Sequence, residues 1–221
     1  MKQKNILSAV LQEISENNYQ TALELFEIYY RELLTWNKKI NLISRNDENR
    51  IVTRHFLESL GFLNTVDFPR HSKVVDLGSG AGLPGIPIAI VRPDLDIVLV
   101  ESKRKKAGFL SHISTQLNLE NIRVLNKRME TVCDTIQPVD MIMCRSVASL
   151  QKLYKWSYKC LKTSHSKLIT IKGEQYKKEL HILLKQKGSD TKIEYEIKPY
   201  TPFSEIYIIR KCYMVILNIE K

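Results

Sequence analysis

One stretch restricts the fold of this chain more than any other. It runs Val74-Val75-Asp76-Leu77-Gly78-Ser79-Gly80-Ala81-Gly82-Leu83-Pro84-Gly85-Ile86-Pro87-Ile88-Ala89-Ile90. Val74 to Leu77 is a short apolar run, as expected of a parallel strand covered on both faces. Gly78, Gly80, Gly82 and Gly85 admit positive φ and let a ligand approach bare backbone. Four of the chain's 8 glycines fall in these few positions, more than an ordinary tight turn requires. Proline is compatible with a first helical turn, where its missing N–H has no helical partner. The stretch therefore reads as strand, glycine-rich turn and helix start, the unit that holds a nucleotide-like ligand in an open α/β sheet.

Two ligand chemistries fit the glycine spacing. Gly80-x-Gly82-x-x-Gly85 matches the dinucleotide fingerprint, and Glu101 follows Gly80 at the distance of a ribose-binding acid. Asp76 argues against a dinucleotide, because a carboxylate at the first strand end would face the pyrophosphate and repel it. S-adenosylmethionine reverses that argument. Its sulfonium and ammonium are cationic, so acids at the first and second strand ends both favour it. Asp76-x-Gly78-x-Gly80-x-Gly82 with Glu101 thus looks like the cofactor signature of the class I methyltransferases.

The rest of the chain supports this fold. Ile6, Val10 and Ile14 recur at helical spacing, as do Leu25, Tyr29, Leu33, Trp36 and Ile40, and then Val52, Phe56, Leu60 and Leu63. Asn46 or Asp47 is placed to cap the third of these helices. Beyond residue 70, strands at Val74–Leu77, Ile97–Val100, Ile122–Leu125, Met141–Met143 and Leu168–Ile171 alternate with helices at Ile88–Val91, Ala107–Leu117, Leu150–Leu161 and Tyr176–Leu184. Such alternation implies parallel βαβ units. Ile193–Ile197 and Ile206–Ile209 read as a closing antiparallel hairpin. The expected architecture is α/β, a Rossmann-like doubly wound sheet with an antiparallel last strand. Residues 1–65 form an N-terminal helical extension and residues 66–221 the methyltransferase domain.

Charge and cysteine content narrow the function classes. Lys+Arg 34 against Asp+Glu 24 gives a net charge of +10, which points to a polyanion such as nucleic acid. Cys133, Cys144, Cys160 and Cys212 form no C-x-x-C pair and no zinc-like spacing with histidine, so reduced cytosolic thiols and no metal are expected. No apolar run is long enough to span a bilayer, and no signal peptide is visible, so a cytoplasmic protein without a membrane partner is expected.

In sheets of this kind ligands bind beyond the carboxyl ends of the strands. The candidates there are Asp76, Glu101, Met129, Glu130, Arg145 and Lys172. Glu101 is placed to accept ribose hydroxyls, and Met129 with Glu130 to frame the adenine. Arg145 reads either as a counter-ion to the nearby acids or as an orienting group for substrate phosphate or cofactor carboxylate. Arg54 and His55 adjoin on a helix expected to pack near the glycine turn, where they either pair locally or contact cofactor or RNA. Lys103-Arg104-Lys105-Lys106 places four cations at a helix start, against the dipole, which suggests phosphate contact. A protein or small-molecule methyltransferase, an RNA-binding module without catalysis and a nicotinamide-linked reductase are the rival readings.

Over nearly its whole length the sequence resembles the RsmG (GidB) family of small-subunit rRNA methyltransferases. The resemblance is carried by Trp36-Asn37-Lys38 with Asn41-Leu42, Arg54-His55 with Glu58-Ser59-Leu60, and the long block from Asp76 to Pro87. Cys144-Arg145-Ser146 with Ala148-Ser149-Leu150, and Lys172-Gly173, carry it further. It implies methyl transfer from S-adenosylmethionine to N7 of a guanine in 16S rRNA, on naked RNA or a ribosomal particle, by a monomer. It also puts Gly78, Leu83, Met129, Glu130 and Arg145 on cofactor-binding positions, with Asp76, Gly80 and Glu101 beside them. N7 has no proton to lose, so no general base is expected; Arg145, Lys172, Arg54 and His55 are candidates for orientation only. Two departures stand out. Phe203-Ser204-Glu205-Ile206-Tyr207 replaces the family's acid-Arg-His run, and an apolar tail, Cys212–Lys221, extends beyond what the family needs.

Overall fold

The structure is a computed structural model, and it describes residues 2–15, 18–136, 138–162, 166–189, 191–200, 202–203 and 211–220. Helix α1 (Lys2–Ile14) precedes α2 (Tyr19–Asn37), which buries Ala22, Phe26, Tyr29, Leu33 and Asn37 along one stripe. That spacing of three and four residues is the helical period seen in the sequence. A 3-10 turn (Arg45–Arg50) and a π-helical turn (Val52–Phe56) then lead into α3 (Leu57–Thr65). Asn46 and Asp47 are not caps: both lie inside the 3-10 turn, and Asp47 accepts a hydrogen bond from Arg50 at 2.8 Å instead.

Strands and helices then alternate as β1 (Lys73–Leu77), α4 (Gly85–Val91), β2 (Asp96–Val100), α5 (Arg104–Gln116) and β3 (Ile122–Leu125). A short 3-10 turn (Met129–Thr131) leads to α6 (Cys133–Ile136), β4 (Met141–Arg145), α7 (Leu150–Ser157), β5 (Ser166–Lys172), α8 (Tyr176–Gln186), β6 (Lys192–Pro199) and β7 (Tyr213–Glu220). The sheet order is β3-β2-β1-β4-β5-β7-β6. The first five strands are parallel, and β7 runs antiparallel between β5 and β6. The order reverses between β1 and β4, which opens the crevice where such sheets bind ligands.

Because side chains alternate along a strand, the sheet carries two cores. Val74, Ile97 and Leu99 face one, shared with Leu11, Phe26, Phe56, Leu60 and Ile86. Val75, Val98 and Ile142 face the other, shared with Val132, Leu153 and Leu180. Asp76 points to the first face, beneath the N-terminal helices.

The structure gives the tail a role and overturns one expectation. Met214, Val215, Ile216, Leu217 and Ile219 of β7 are at most 2% exposed and fill both cores. The tail pairs from Ser166↔Ile219 to Lys172↔Tyr213 on one side and from Lys192↔Glu220 to Pro199↔Tyr213 on the other. The strand expected at Ile206–Ile209, and residues 204–207 of the departing segment, lie outside the described residues. Cys133 and Cys160 are joined in a disulfide, not held as reduced thiols, while Cys144 and Cys212 are not disulfide-bonded. Their separation of 27 residues hid the pairing. The start of α6 and the turn after α7 meet on the same face of the sheet, which linear spacing does not reveal.

Candidate functional site

The glycine turn follows β1. Gly78, Gly80 and Gly82 adopt φ of +72°, +58° and +89°, a region that L side chains disfavour. Gly85 is different. It is helical, and a Cβ there would lie 2.7 Å from Asp76 Oδ2, so close packing and not φ demands glycine. The turn is held from below by α2, since the buried Tyr29 hydroxyl donates to the Ala81 carbonyl at 2.6 Å and its ring stacks on Phe56. The sequence marked Tyr29 only as core. Nothing in the apolar stripe signals that its hydroxyl reaches the turn.

Asp76 is fully buried. Its Oδ2 accepts from the Gly85 N–H at 2.9 Å, whereas Oδ1 has no hydrogen-bond partner. Burial pushes its pKa up to about 7, against the lowering effect of that bond and of Arg145. Glu101, at the end of β2, is stapled to the turn. Its Oε2 accepts from Gly80 N–H at 3.0 Å and its Oε1 from Lys103 N–H at 2.7 Å. A carboxylate offers about four lone-pair positions, so each oxygen retains one for a further donor. Asn126 secures the same corner by donating to the Glu101 carbonyl at 2.9 Å. Leu83 and Met129 are buried at the rim and Glu130 is exposed.

Arg145 does not pair with Asp76 or Glu101, as its place beside two acids had suggested. Its Nη1 donates to Glu58 at 2.8 Å and to the Arg54 carbonyl at 3.3 Å, and its Nη2 to His55 Nδ1 at 2.9 Å. The π turn makes this possible, because its wider ladder turns the Arg54 carbonyl and the His55 ring toward the end of β4. Arg54 itself pairs with Glu58 at 3.1 Å. With Nδ1 accepting, the His55 proton sits on Nε2, which is buried without a hydrogen-bond partner. Burial first, then Arg145, lowers the His55 pKa to about 3. Lys172 is likewise engaged, by the Ala148 carbonyl and by Glu179 at 2.9 Å. Lys103, Arg104 and Lys105 are exposed on the first turn of α5, and Lys106 turns toward the glycine loop. The structure thus gathers Asp76, Gly80, Glu101 and Lys106 at one turn. Arg54, His55 and Arg145 form a second cluster beside it. Among the described residues no group of His, Cys, Asp and Glu is arranged to hold a metal.

A Cβ at Gly78 would stand 2.9 Å from Val147 Cγ2, at a φ of +72°. Gly78→Val is therefore expected to displace the turn and weaken S-adenosylmethionine binding at least about tenfold, or about 1.4 kcal/mol, in a chain that still melts cooperatively. Calorimetric titration showing wild-type affinity would detach the turn from the cofactor.

A family model described as rRNA small subunit methyltransferase G matches residues 22–202. Ribosomal RNA small subunit methyltransferase G of Magnetococcus marinus is 42% identical over 170 residues, covering 76% of this chain and 74% of that protein. The protein of the same name from a Roseiflexus species is 41% identical over 165 residues, covering 73% and 69%. Among solved structures, a SAM-dependent methyltransferase from Aquifex aeolicus superposes with a TM-score of 0.56 at 16% identity, over 75% of this chain and 92% of that one. At that identity the likeness concerns the fold.

Proposed function

Because this chain belongs to the rRNA small subunit methyltransferase G family, we propose that it transfers a methyl group from S-adenosylmethionine to N7 of one guanine in small-subunit ribosomal RNA. The observation that carries the proposal is the pair of buried carboxylates at adjacent strand ends. Asp76 keeps an oxygen without a donor, and Glu101 keeps a free lone pair on each oxygen beside the Gly80 backbone. These residues fit a cofactor with a cationic end and a ribose. When bound, S-adenosylmethionine supplies an electrophilic methyl, whose carbon bonds to N7 as its bond to sulfur breaks, leaving a thioether and a cationic base.

The chain's residues have limited work in this reaction. Glu101 accepts the ribose hydroxyls, Asp76 favours the cationic end, and Leu83 and Met129 supply apolar surface. Guanine N7 has a lone pair on the major-groove edge and no proton, so catalysis rests on alignment and water exclusion. His55 cannot serve as a base of matched strength, since with a pKa of about 3 it stays neutral and weakly basic at physiological pH. Arg145, itself held by Glu58, fixes it instead as part of the wall between the helical extension and the sheet.

Two pH profiles are expected to separate. Single-turnover rates with saturating RNA and cofactor stay nearly flat from about pH 6 to 9, in wild type and His55→Gln alike. Cofactor affinity, in contrast, rises as Asp76 ionises through a pKa of about 7, because a cation binds the carboxylate and expels its proton. A log-linear rise in the saturated rate that vanishes in His55→Gln would make His55 a base and move the target to an atom that must lose a proton. The reaction itself is tested by mapping N7-methylguanine in small-subunit rRNA from a strain lacking this chain. Loss of one such mark, restored by the purified protein and labelled cofactor, is the expected result; transfer of label into protein instead would overturn the reading.

A further inference from the structure

Beside the glycine turn lies a second concavity that the methyl-transfer chemistry does not use. It has a volume of about 700 Å3 and is walled by residues 37–45 on one side and Lys106 on the other. Four cations border it: Lys38, Lys39, Arg45 and Lys106. None of these side chains has an acidic or hydrogen-bonding partner among the described residues. The acids nearest in sequence have other partners, Asp47 the Arg50 guanidinium at 2.8 Å and Glu48 the amide of Asn37, in the cavity wall, at 2.7 Å. Like charges left unpaired around one cavity repel one another unless an anion enters.

The cavity is also built to hold its shape. Asn37, 8% exposed, accepts from Leu42 N–H at 2.9 Å and Ile43 N–H at 3.0 Å through one oxygen, so the loop is pinned from inside. The two walls are tied together as well. Trp36 packs on Phe109 and His112 of α5 at ring separations of 5.5 and 5.2 Å, and His112 meets Glu32 of α2 at 2.7 Å. Lys106 Nζ in turn lies 4.0 Å from the position a Cβ on Gly80 would take. Lys106 therefore stands between the cavity and the turn assigned to the cofactor.

We propose that this cavity binds the phosphodiester backbone of the RNA strand that carries the target base, holding it against the glycine turn. The proposal rests on the rRNA methyltransferase reading above. Cations on a pinned loop position a backbone without reading its sequence, and the target base is left to enter the crevice between β1 and β4. Asn37 acts as a positioning residue, through the loop.

The test compares two charge-matched variants by binding to naked small-subunit rRNA across a salt series. In one, Lys38, Lys39 and Arg45, which border the cavity away from the glycine turn, become Gln. In the other, Lys159, Lys167 and Lys185, at the far end of the strands, become Gln. The first is expected to flatten the dependence of log affinity on log salt by about two units and to weaken RNA binding at least tenfold at low salt. Its affinity for S-adenosylmethionine and its melting temperature stay at wild-type values. The second should leave the slope within about half a unit. An unchanged slope in the first variant, or equal loss in both, overturns the proposal. So does weakened cofactor affinity with an intact slope, which would assign the cations to the cofactor carboxylate. Failure of the wild type to methylate rRNA while it still binds the cofactor would count against the functional reading instead, and the binding series does not depend on turnover.

Discussion

Deleting residues 213–221 is expected to abolish the cooperative folded state. β7 is the inner strand between β5 and β6, so its loss removes both ladders and strands β6 away from the sheet. Val215 and Leu217 fill one core while Met214 and Ile216 fill the other. Truncating a buried aliphatic side chain typically costs about 2–5 kcal/mol, and domains are stable by only about 5–15 kcal/mol. Several such losses together exceed that margin. Ile216→Asp, which buries a charge at a position 2% exposed, should have nearly the same effect without shortening the chain. Thermal melts followed by circular dichroism check both. A deletion variant with a cooperative melt and intact cofactor binding would show that the tail is dispensable after all. The family match ends at residue 202, so this strand is a contribution of the chain outside the matched region.

Glu101→Ala is expected to weaken S-adenosylmethionine binding by about a hundredfold, with little effect on folding. Hydrogen bonds to a charged group contribute about 1.5–3 kcal/mol each, and two ribose hydroxyls lose their acceptor. At about 1.4 kcal/mol per factor of ten, the low end of that range already gives two orders of magnitude. The Gly80 and Lys103 amides lose their partner as well, which loosens the turn. Glu101→Gln keeps one oxygen acceptor and should fall between alanine and wild type. Calorimetric titration of the three proteins checks the order, and an alanine variant within threefold of wild type would remove Glu101 from the site.

How much of this was readable from residues alone differs by element. The strand-turn-helix at 74–90 was legible because its signals are local. An apolar run, glycines at fixed intervals and an acid at the next strand end are consequences of backbone geometry and charge within one βαβ unit. The first five strands were legible for the same reason, since buried parallel strands are short apolar runs that helices must separate. The helical stripe of α2 predicted its buried face, but not that the Tyr29 hydroxyl would meet the Ala81 carbonyl 52 residues away.

Everything that required distant segments to meet was settled by packing. Arg145 appeared as a charge at a strand end beside two acids. Its partners turned out to be Glu58 and His55, because a π turn and α3 pack over β4 and present acceptors there. Cys133 and Cys160 carried no pairing motif, yet α6 and the turn after α7 bring them to one place on the sheet. The tail read as surplus because its run of consecutive buried apolar residues, Met214 to Leu217, has no local cue for where it inserts. Only the gap between β5 and β6, with antiparallel acceptors and donors on both sides, gives it a position. Local chemistry therefore named the glycine turn and the acids beside it, while the walls around that turn, and the strand that completes the sheet, follow from long-range pairing that no short window of sequence contains.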